Sequence, residues 1–527
     1  MATEHQELAN ELLPVPQEKR TWSLYNMIAL WVAMDIGIPT YYLASGLMTG
    51  GMNLVQAMFT ILLANVIISI PIILNGHAGA KYGIPSPVYW RSAFGFSGAS
   101  VAAVIRAMVA AGWFGIQMWI GGSAINTVLT ILIPAWQNFS GGIWVSFVIF
   151  WIMNIFVLVK GIGALKILES ASAPFLVFWM AFLLIWAYRT AGNTFGPMAT
   201  APSSFATTGA FLAFFIPSLT ANVGYWGPLT LNCTDFTRYA SNQKDSTKSI
   251  LIGIPSGMIA LAMVGSLVTS ATVVIFGEAV WDPIALTAKV GSPFFVIGSM
   301  LFLMLATLTT NTAANALSPS MDLAYLSGGL LTYKKAVVLL GIISVAIQPW
   351  RLLSDLSAYM NLFLIGGSMF LGPIAGICIS NYFLISKMDL KVKDLYLRDS
   401  RYSYKSLAGR NGPTRNVHAA AAVLLLVLAI AGPASWTGSV CKLGLPVRTV
   451  LFAFAAYCAA IAAMLHAKIS GGVNPNAMIS FTAAVTLPFL GLLFQDLVIL
   501  YDAAWFVGTI VAIILYWLLM RGAPETE

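Results

Sequence analysis

Fourteen runs of mostly apolar residues dominate the chain, each near the roughly 20 residues that an α-helix needs to cross a bilayer. With soft edges they cover 25–47, 54–74, 98–125, 142–159, 171–187, 210–233, 249–276, 293–317, 335–350, 357–385, 417–434, 447–466, 476–498 and 503–520. Such a series leaves few folds open. In hydrocarbon every backbone N–H and C=O must be satisfied by the protein itself, which only helices and closed barrels achieve. Runs of this length predict helices, so the fold class is an all-α polytopic membrane protein with 14 transmembrane helices. An even number of spans leaves both ends on one side. Only 9% of the 527 residues are charged, against roughly a quarter in soluble domains. The polar tail 1–24 followed by a full-length run is not the pattern of a cleaved signal peptide.

The net charge of +8 would suit a nucleic-acid partner if it formed a basic face, but it is spread over alternate loops. With the N-terminus in the cytoplasm, 21 of the 27 Lys and Arg residues fall in inner segments and five in outer ones. Arg106 lies within the third run. That bias is the positive-inside pattern of an inner or plasma membrane protein with both ends cytoplasmic. The four cysteines and four histidines are scattered, without disulfide or zinc spacing. Nothing resembles a hydrolytic triad, a metalloprotease helix or a phosphate-cradling loop, so no enzyme and no cofactor is expected.

Two runs are interrupted near their middles. The first contains Asp35-Ile36-Gly37-Ile38-Pro39, the sixth Gly224-Tyr225-Trp226-Gly227-Pro228. Glycine is a poor helix residue, and proline lacks an N–H and clashes with the preceding turn. A single break of this kind would be an ordinary kink. A matched pair in two halves is the sequence pointer to a transporter's binding site. The interval from Gly37 to Trp113 is 76 residues and that from Gly227 to Thr309 is 82 (113 − 37 and 309 − 227). Two five-helix units, 25–187 and 210–385, would then form an inverted repeat, because five is odd.

Several side chains at membrane depth suggest chemistry. Trp113 and Gln117 are four apart and share a helix face. An aromatic face beside a group that both donates and accepts suits a planar heterocycle with amide groups. Trp226, in the second break, could close a sandwich on the same ring, although most membrane tryptophans are packing residues. In the eighth run, Thr309 and Thr310 with carbonyls freed by the first break would make a hard-oxygen cage for an alkali cation. Threonines in spans more often bond back to their own helix. Asn311 and Asn315 share a helix face and are both candidates to bind substrate, Asn315 by bonding its amide. Asp35, a carboxylate at membrane depth, is a coupling candidate as a cation partner, a proton carrier or a lock to another helix. Glu169, before the fifth run, is a weaker candidate of the same kind.

Together these stretches resemble the nucleobase–cation symport family of hydantoin, allantoin, uracil and cytosine transporters, most nearly its bacterial allantoin branch. The resemblance rests on Pro14–Trp22, Ile38–Tyr41, Asn75–Val88, Arg91–Gly95, Gly112–Trp119, Asp235–Tyr239, Asn311–Pro319 and Gly372–Gly376, and covers nearly the whole chain. It implies a LeuT-type five-plus-five inverted repeat working by alternating access. It also implies that Trp113 and Trp226 stack on the ring and that Gln117 and Asn315 bond its polar edge. The implied sodium site uses the carbonyls of Ala33, Ile36 and Ala306 with the hydroxyls of Thr309 and Thr310. Some members of the family use protons.

Three departures stand out. Gly37 takes a position where the family often has Gln or Asn, which leaves room for a bulkier ligand. Asp35 replaces a usually uncharged residue. Two extra runs within 417–470 expand the usual twelve helices to fourteen by an inserted hairpin, between a cytoplasmic loop (386–416) and the last two helices (471–520), with a short tail 521–527. The function expected is import of a planar amide heterocycle with Na+ or H+ by a monomer embedded in lipid. Alternatives are a LeuT-type amino-acid or amine symporter, with Asp35 holding the amine, and a non-transporting membrane sensor.

Overall fold

The computed structural model describes residues 12–523 apart from 329, 353–362, 432–450, 452–454, 456–457 and 460–471. The chain is helical throughout this range. In order run α1 (Leu24–Asp35), α2 (Ile38–Thr49), α3 (Leu54–Tyr82), α4 (Ser86–Phe94), α5 (Ala99–Leu132), α6 (Gly142–Lys160) and α7 (Ile162–Thr190). Then come α8 (Thr208–Tyr225), α9 (Gly227–Asn232), α10 (Thr234–Thr237), α11 (Gln243–Phe276), α12 (Pro283–Val290), α13 (Pro293–Thr310) and α14 (Ser318–Leu326). The last are α15 (Tyr333–Ala346), α16 (Pro349–Leu352), α17 (Gly366–Ile379), α18 (Asn411–Ala431), α19 (Pro475–Leu493), α20 (Val498–Asp502) and α21 (Ala504–Met520).

Among the described residues eight helices are long and apolar enough to cross a membrane, and two bent pairs add to them. Four of the fourteen runs account for the difference. The sixth run is split at Trp226, and the ninth folds as the 14-residue α15. Residues 417–431 form the end of α18, and the rest of that run and almost all of the run 447–466 lie outside the described residues. The final run is preceded by a short helix, and Gln495–Asp502 meets α21 at 77°.

The first break forms where the Gly/Pro pattern puts it. Helix α1 ends at Asp35, Ile36 and Gly37 are extended, and α2 restarts with Pro39 in its first turn, bent 55° from α1. Proline is tolerated there because first-turn N–H groups have no helical acceptor. The carbonyls at the end of α1 lose their helical donors, and hydroxyls replace them. Thr40 Oγ1 donates to the Asp35 carbonyl at 2.8 Å, and Thr310 Oγ1 donates to that of Met34 at 3.1 Å. In the second break α8 stops at Tyr225 and α9 restarts with Gly227-Pro228.

Glycines on two long helices receive the broken segments. A Cβ on Gly253 of α11 would stand 2.6 Å from the Trp31 Cβ, one on Gly257 would stand 2.8 Å from the Asp35 Cβ, and one on Gly265 would stand 2.6 Å from the Tyr41 ring. Both halves of the first broken helix thus lie in one glycine groove, with Trp31 Nε1 donating to Ser249 Oγ at 3.1 Å. On α3, a Cβ on Gly79 would stand 2.7 Å from the Thr234 Cα, and Gly76 faces Thr237. Overfilling such a groove costs about 1–3 kcal/mol or more. Gly257→Val is therefore expected to lower the unfolding temperature in detergent by several degrees, read by size-exclusion chromatography after heating. Gly163→Ala, where a Cβ meets nothing within 4 Å, should leave it unchanged.

Candidate functional site

Helix α5 brings Trp113 and Gln117 to a cavity whose opposite wall is the second break. Tyr225, Trp226, Pro228 and Leu229 line it from that side, and Thr310, Ala314 and Asn315 from the α13–α14 helix. The expected pair of tryptophans does meet at one cavity, but with a third ring involved. Tyr225 stands edge-on to both, its ring centroid 5.1 Å from that of Trp113 and 5.2 Å from that of Trp226. Phe363 contacts Trp113 in the same manner at 5.1 Å. Tyr225 belongs to the second break itself. Its role was not legible because nothing local says which way a residue at a helix end points.

The cavity's polar groups are few and unsatisfied. Gln117 is buried with neither amide atom hydrogen-bonded, and Trp226 Nε1 also lacks a partner. Buried polar groups normally have partners, so an amide and an indole N–H converging on one cavity are groups a ligand would satisfy. The cavity is small, about 20 Å³, room for a water molecule rather than a ring. Its walls must part to admit a heterocycle.

Asn315 lines this cavity, and its Nδ2 donates to Asn311 Oδ1 at 3.3 Å. Asn311 itself is outside the lining. Its Nδ2 donates to Asn154 Oδ1 at 3.1 Å and to the Phe114 carbonyl at 3.4 Å, so it braces Asn315 from behind. The reason is local: residues Asn311–Leu317 form a π-turn, a widened coil often found at functional sites.

The hydroxyls of Thr309 and Thr310 and three carbonyls form a second cluster. Thr310 Oγ1 reaches the carbonyls of Ala306 (2.9 Å), Met34 (3.1 Å) and Ala33 (3.4 Å), while Thr309 Oγ1 reaches those of Ala306 (2.9 Å) and Ala33 (3.3 Å). This is a wholly neutral, hard-oxygen donor set, the chemistry an alkali cation takes. The Met34 carbonyl joins the cluster as well; that of Ile36, the extended residue after α1, is not hydrogen-bonded by either hydroxyl.

Gly37 does not line the aromatic cavity. It borders a separate apolar one with Ile38, Tyr41, Leu261 and Phe302, and a Cβ on it would stand 3.9 Å from Thr310 Oγ1. Asp35 is buried, with neither carboxylate oxygen hydrogen-bonded, and packs on Gly257 rather than at the cavity. Glu169 lies inside α7, not ahead of a helix. It too is buried without a hydrogen-bond partner, next to Ser170, which accepts from Tyr25 and Asn26 of α1.

Two broken helices around a small aromatic cavity, within a set of membrane-length helices, are the arrangement of an integral membrane carrier. The comparisons with known proteins agree. Residues 14–429 match the family described as permeases for cytosine/purines, uracil, thiamine and allantoin. The allantoin permease of Bacillus subtilis is 32% identical over 532 aligned residues, covering 99% of this chain and 94% of that protein. The purine-uracil permease of Arabidopsis thaliana is 37% identical over 411 residues, covering 76% and 68%. The chain belongs to this permease family. Its fold is similar to that of Mhp1, a nucleobase-cation-symport-1 family transporter solved closed with bromovinylhydantoin bound. The TM-score is 0.73 at 21% identity, over 98% of this chain and 96% of that one. These relatives are permeases, not enzymes.

Proposed function

We propose that the protein is a secondary active symporter that imports a planar amide-bearing heterocycle, of the allantoin, hydantoin, uracil or purine type, with Na+ by alternating access. The observation that carries this reading is the convergence of Trp113, Tyr225 and Trp226 with the unpaired Gln117 amide on one cavity. In this reading the rings stack on the heterocycle, Gln117 and Asn315 bond its edge, and the oxygens of Ala33, Ala306, Thr309 and Thr310 hold the cation. An amine carrier is disfavoured because Asp35, the candidate partner for an amine, packs on α11 and is not among the cavity's lining residues.

The architecture that goes with it has fourteen spans, twelve plus the hairpin 417–470, with both termini cytoplasmic and the protein active as a monomer. Its core, 25–385, is a five-plus-five inverted repeat. The reciprocal packing supports this: α11, second helix of the latter half, cradles the first half's broken helix, and α3 of the first half receives the end of the latter's.

Asp35 favours a second reading of the coupling ion, since a buried carboxylate beside the break could carry a proton. Purified protein in liposomes separates the two. Uptake of radiolabelled allantoin, benzylhydantoin, uracil, cytosine and hypoxanthine would be measured under an inward Na+ gradient and, separately, an inward proton gradient. The expected result is accumulation of one compound under the Na+ gradient, retained at no less than about half its rate in Asp35→Asn. Accumulation driven only by protons and lost in Asp35→Asn would replace sodium by the proton. Binding without accumulation under either gradient would mean a sensor.

A further inference from the structure

Below the aromatic cavity the same three helical elements carry a second, charged tier. Arg106 precedes Trp113 by seven residues on α5 (113 − 106), two turns and roughly 10 Å along the axis, on the same face. The same step leads from Asn315 to Asp322 (322 − 315) on α14. Beyond Trp226, the continuation of the second broken helix supplies Asn232 and Asp235.

Arg106 is fully buried, and its Nη2 donates to the Ala314 carbonyl at 2.8 Å. That carbonyl is in the π-turn, and position 319, five residues on, is a proline with no N–H to offer it. In the amide orientation that satisfies its neighbours, Asn232 also accepts from Arg106 Nη2 at 3.0 Å and from Ser318 Oγ at 2.8 Å. One guanidinium nitrogen therefore ties α5, α9 and the floor of the cavity together.

The rest of the tier is left wanting. Arg106 Nε and Nη1, both Asp322 oxygens and Asp235 Oδ2 are buried without hydrogen-bond partners. Asp235 Oδ1 accepts from the Ser86 N–H at 2.8 Å. Among the described residues, the ion pairs within 4 Å join other, partly exposed side chains. Unpaired buried charges are costly, and α5 and α14 pack together, so a modest shift would let Arg106 meet Asp322.

We propose that Arg106 is the positioning residue of a latch closing the cavity on its cytoplasmic side, and that opening exchanges its hold on Ala314 and Asn232 for the Asp322 carboxylate. The proposal rests on the transporter reading above but not on any particular substrate. It is tested with Ala314→Cys as a reporter in the cavity floor, the four native cysteines replaced by serine. In inside-out membrane vesicles, a membrane-impermeant maleimide reports cytoplasmic access to the reporter. Asn232→Ala, which removes one of the closed form's two acceptors and leaves the Asp322 pairing intact, should speed labelling about tenfold, and should add little in an Arg106→Gln background. Asp322→Asn, which removes the open form's partner, should slow it several-fold, and Arg106→Lys should stay near the parent. Loss of packing would speed labelling in both Asn232→Ala and Asp322→Asn, so their opposite signs are the signature. Any other pattern overturns the latch. If the parent fails to transport the compounds tried while the opposite signs hold, the substrate assignment fails and the latch stands.

Discussion

Trp113→Ala is expected to abolish saturable uptake of the transported heterocycle at micromolar concentrations while the protein still reaches the membrane. A ring stacked on the indole gains roughly 0.5–1.5 kcal/mol beyond its area burial, which alone is about two- to tenfold in affinity. Truncation also removes the edge contacts with Tyr225 and Phe363, which hold those rings around the cavity. Truncating a buried tryptophan typically costs 3–5 kcal/mol in all, and the share of it felt in binding brings the loss toward 100-fold or more. Trp113→Phe keeps an aromatic face and should remain within about tenfold of the parent. Initial uptake rates against concentration, normalised to protein in the membrane, measure both. An unchanged half-saturation concentration in Trp113→Ala would remove Trp113 from the site.

The second large effect is expected at the oxygen cluster. Thr310→Val keeps the side chain's shape but removes the hydroxyl, and the half-saturating Na+ concentration should rise at least tenfold. A hydrogen bond to a charged group is worth about 1.5–3 kcal/mol, and a cation that loses one oxygen of its set loses an interaction of that order. Thr309→Val should act in the same direction, and the double variant should show no stimulation by Na+ over choline. Thr310→Ser restores the oxygen and should restore the response. The valine variants also leave the Ala33, Met34 and Ala306 carbonyls short of donors, so thermal stability is measured alongside. Full stimulation by Na+ in the stable double variant would mean that the cation binds elsewhere.

Much of this was legible in the chain because its causes are local. Pro39 and Pro228 each withhold an N–H beside a glycine, and both breaks form there, although the same pairings at Gly253–Pro255 and Gly372–Pro373 lie inside continuing helices. Trp113 and Gln117 share a face through four residues of ordinary helix, and they meet one cavity. What stayed hidden depends on contacts between distant segments. Tyr225 stands between the tryptophans where α8 ends against the start of α17: a Cβ on Gly224 would stand 2.7 Å from the Leu364 carbonyl, just ahead of that helix, and 3.1 Å from the Ser368 Cβ within it. Asn311 was placed at the cavity on a 3.6-residue period, and the π-turn that changes the local pitch leaves no plain mark in the sequence. Arg106 read only as a charge inside a span, since its partners Ala314 and Asn232 lie more than a hundred residues away.

Thr310 belongs to two neighbourhoods. It lines the aromatic cavity, and its hydroxyl lies within hydrogen-bond distance of the carbonyls of Ala33, Met34 and Ala306. If one ligand lies on each side of it, neither can bind without altering the other's surroundings. Thermodynamic reciprocity then applies: the factor by which the ion tightens the heterocycle must equal the factor by which the heterocycle tightens the ion. A single side chain would thus serve both as a wall and as a messenger, and the strength of coupling could be tuned at this position without rebuilding either pocket.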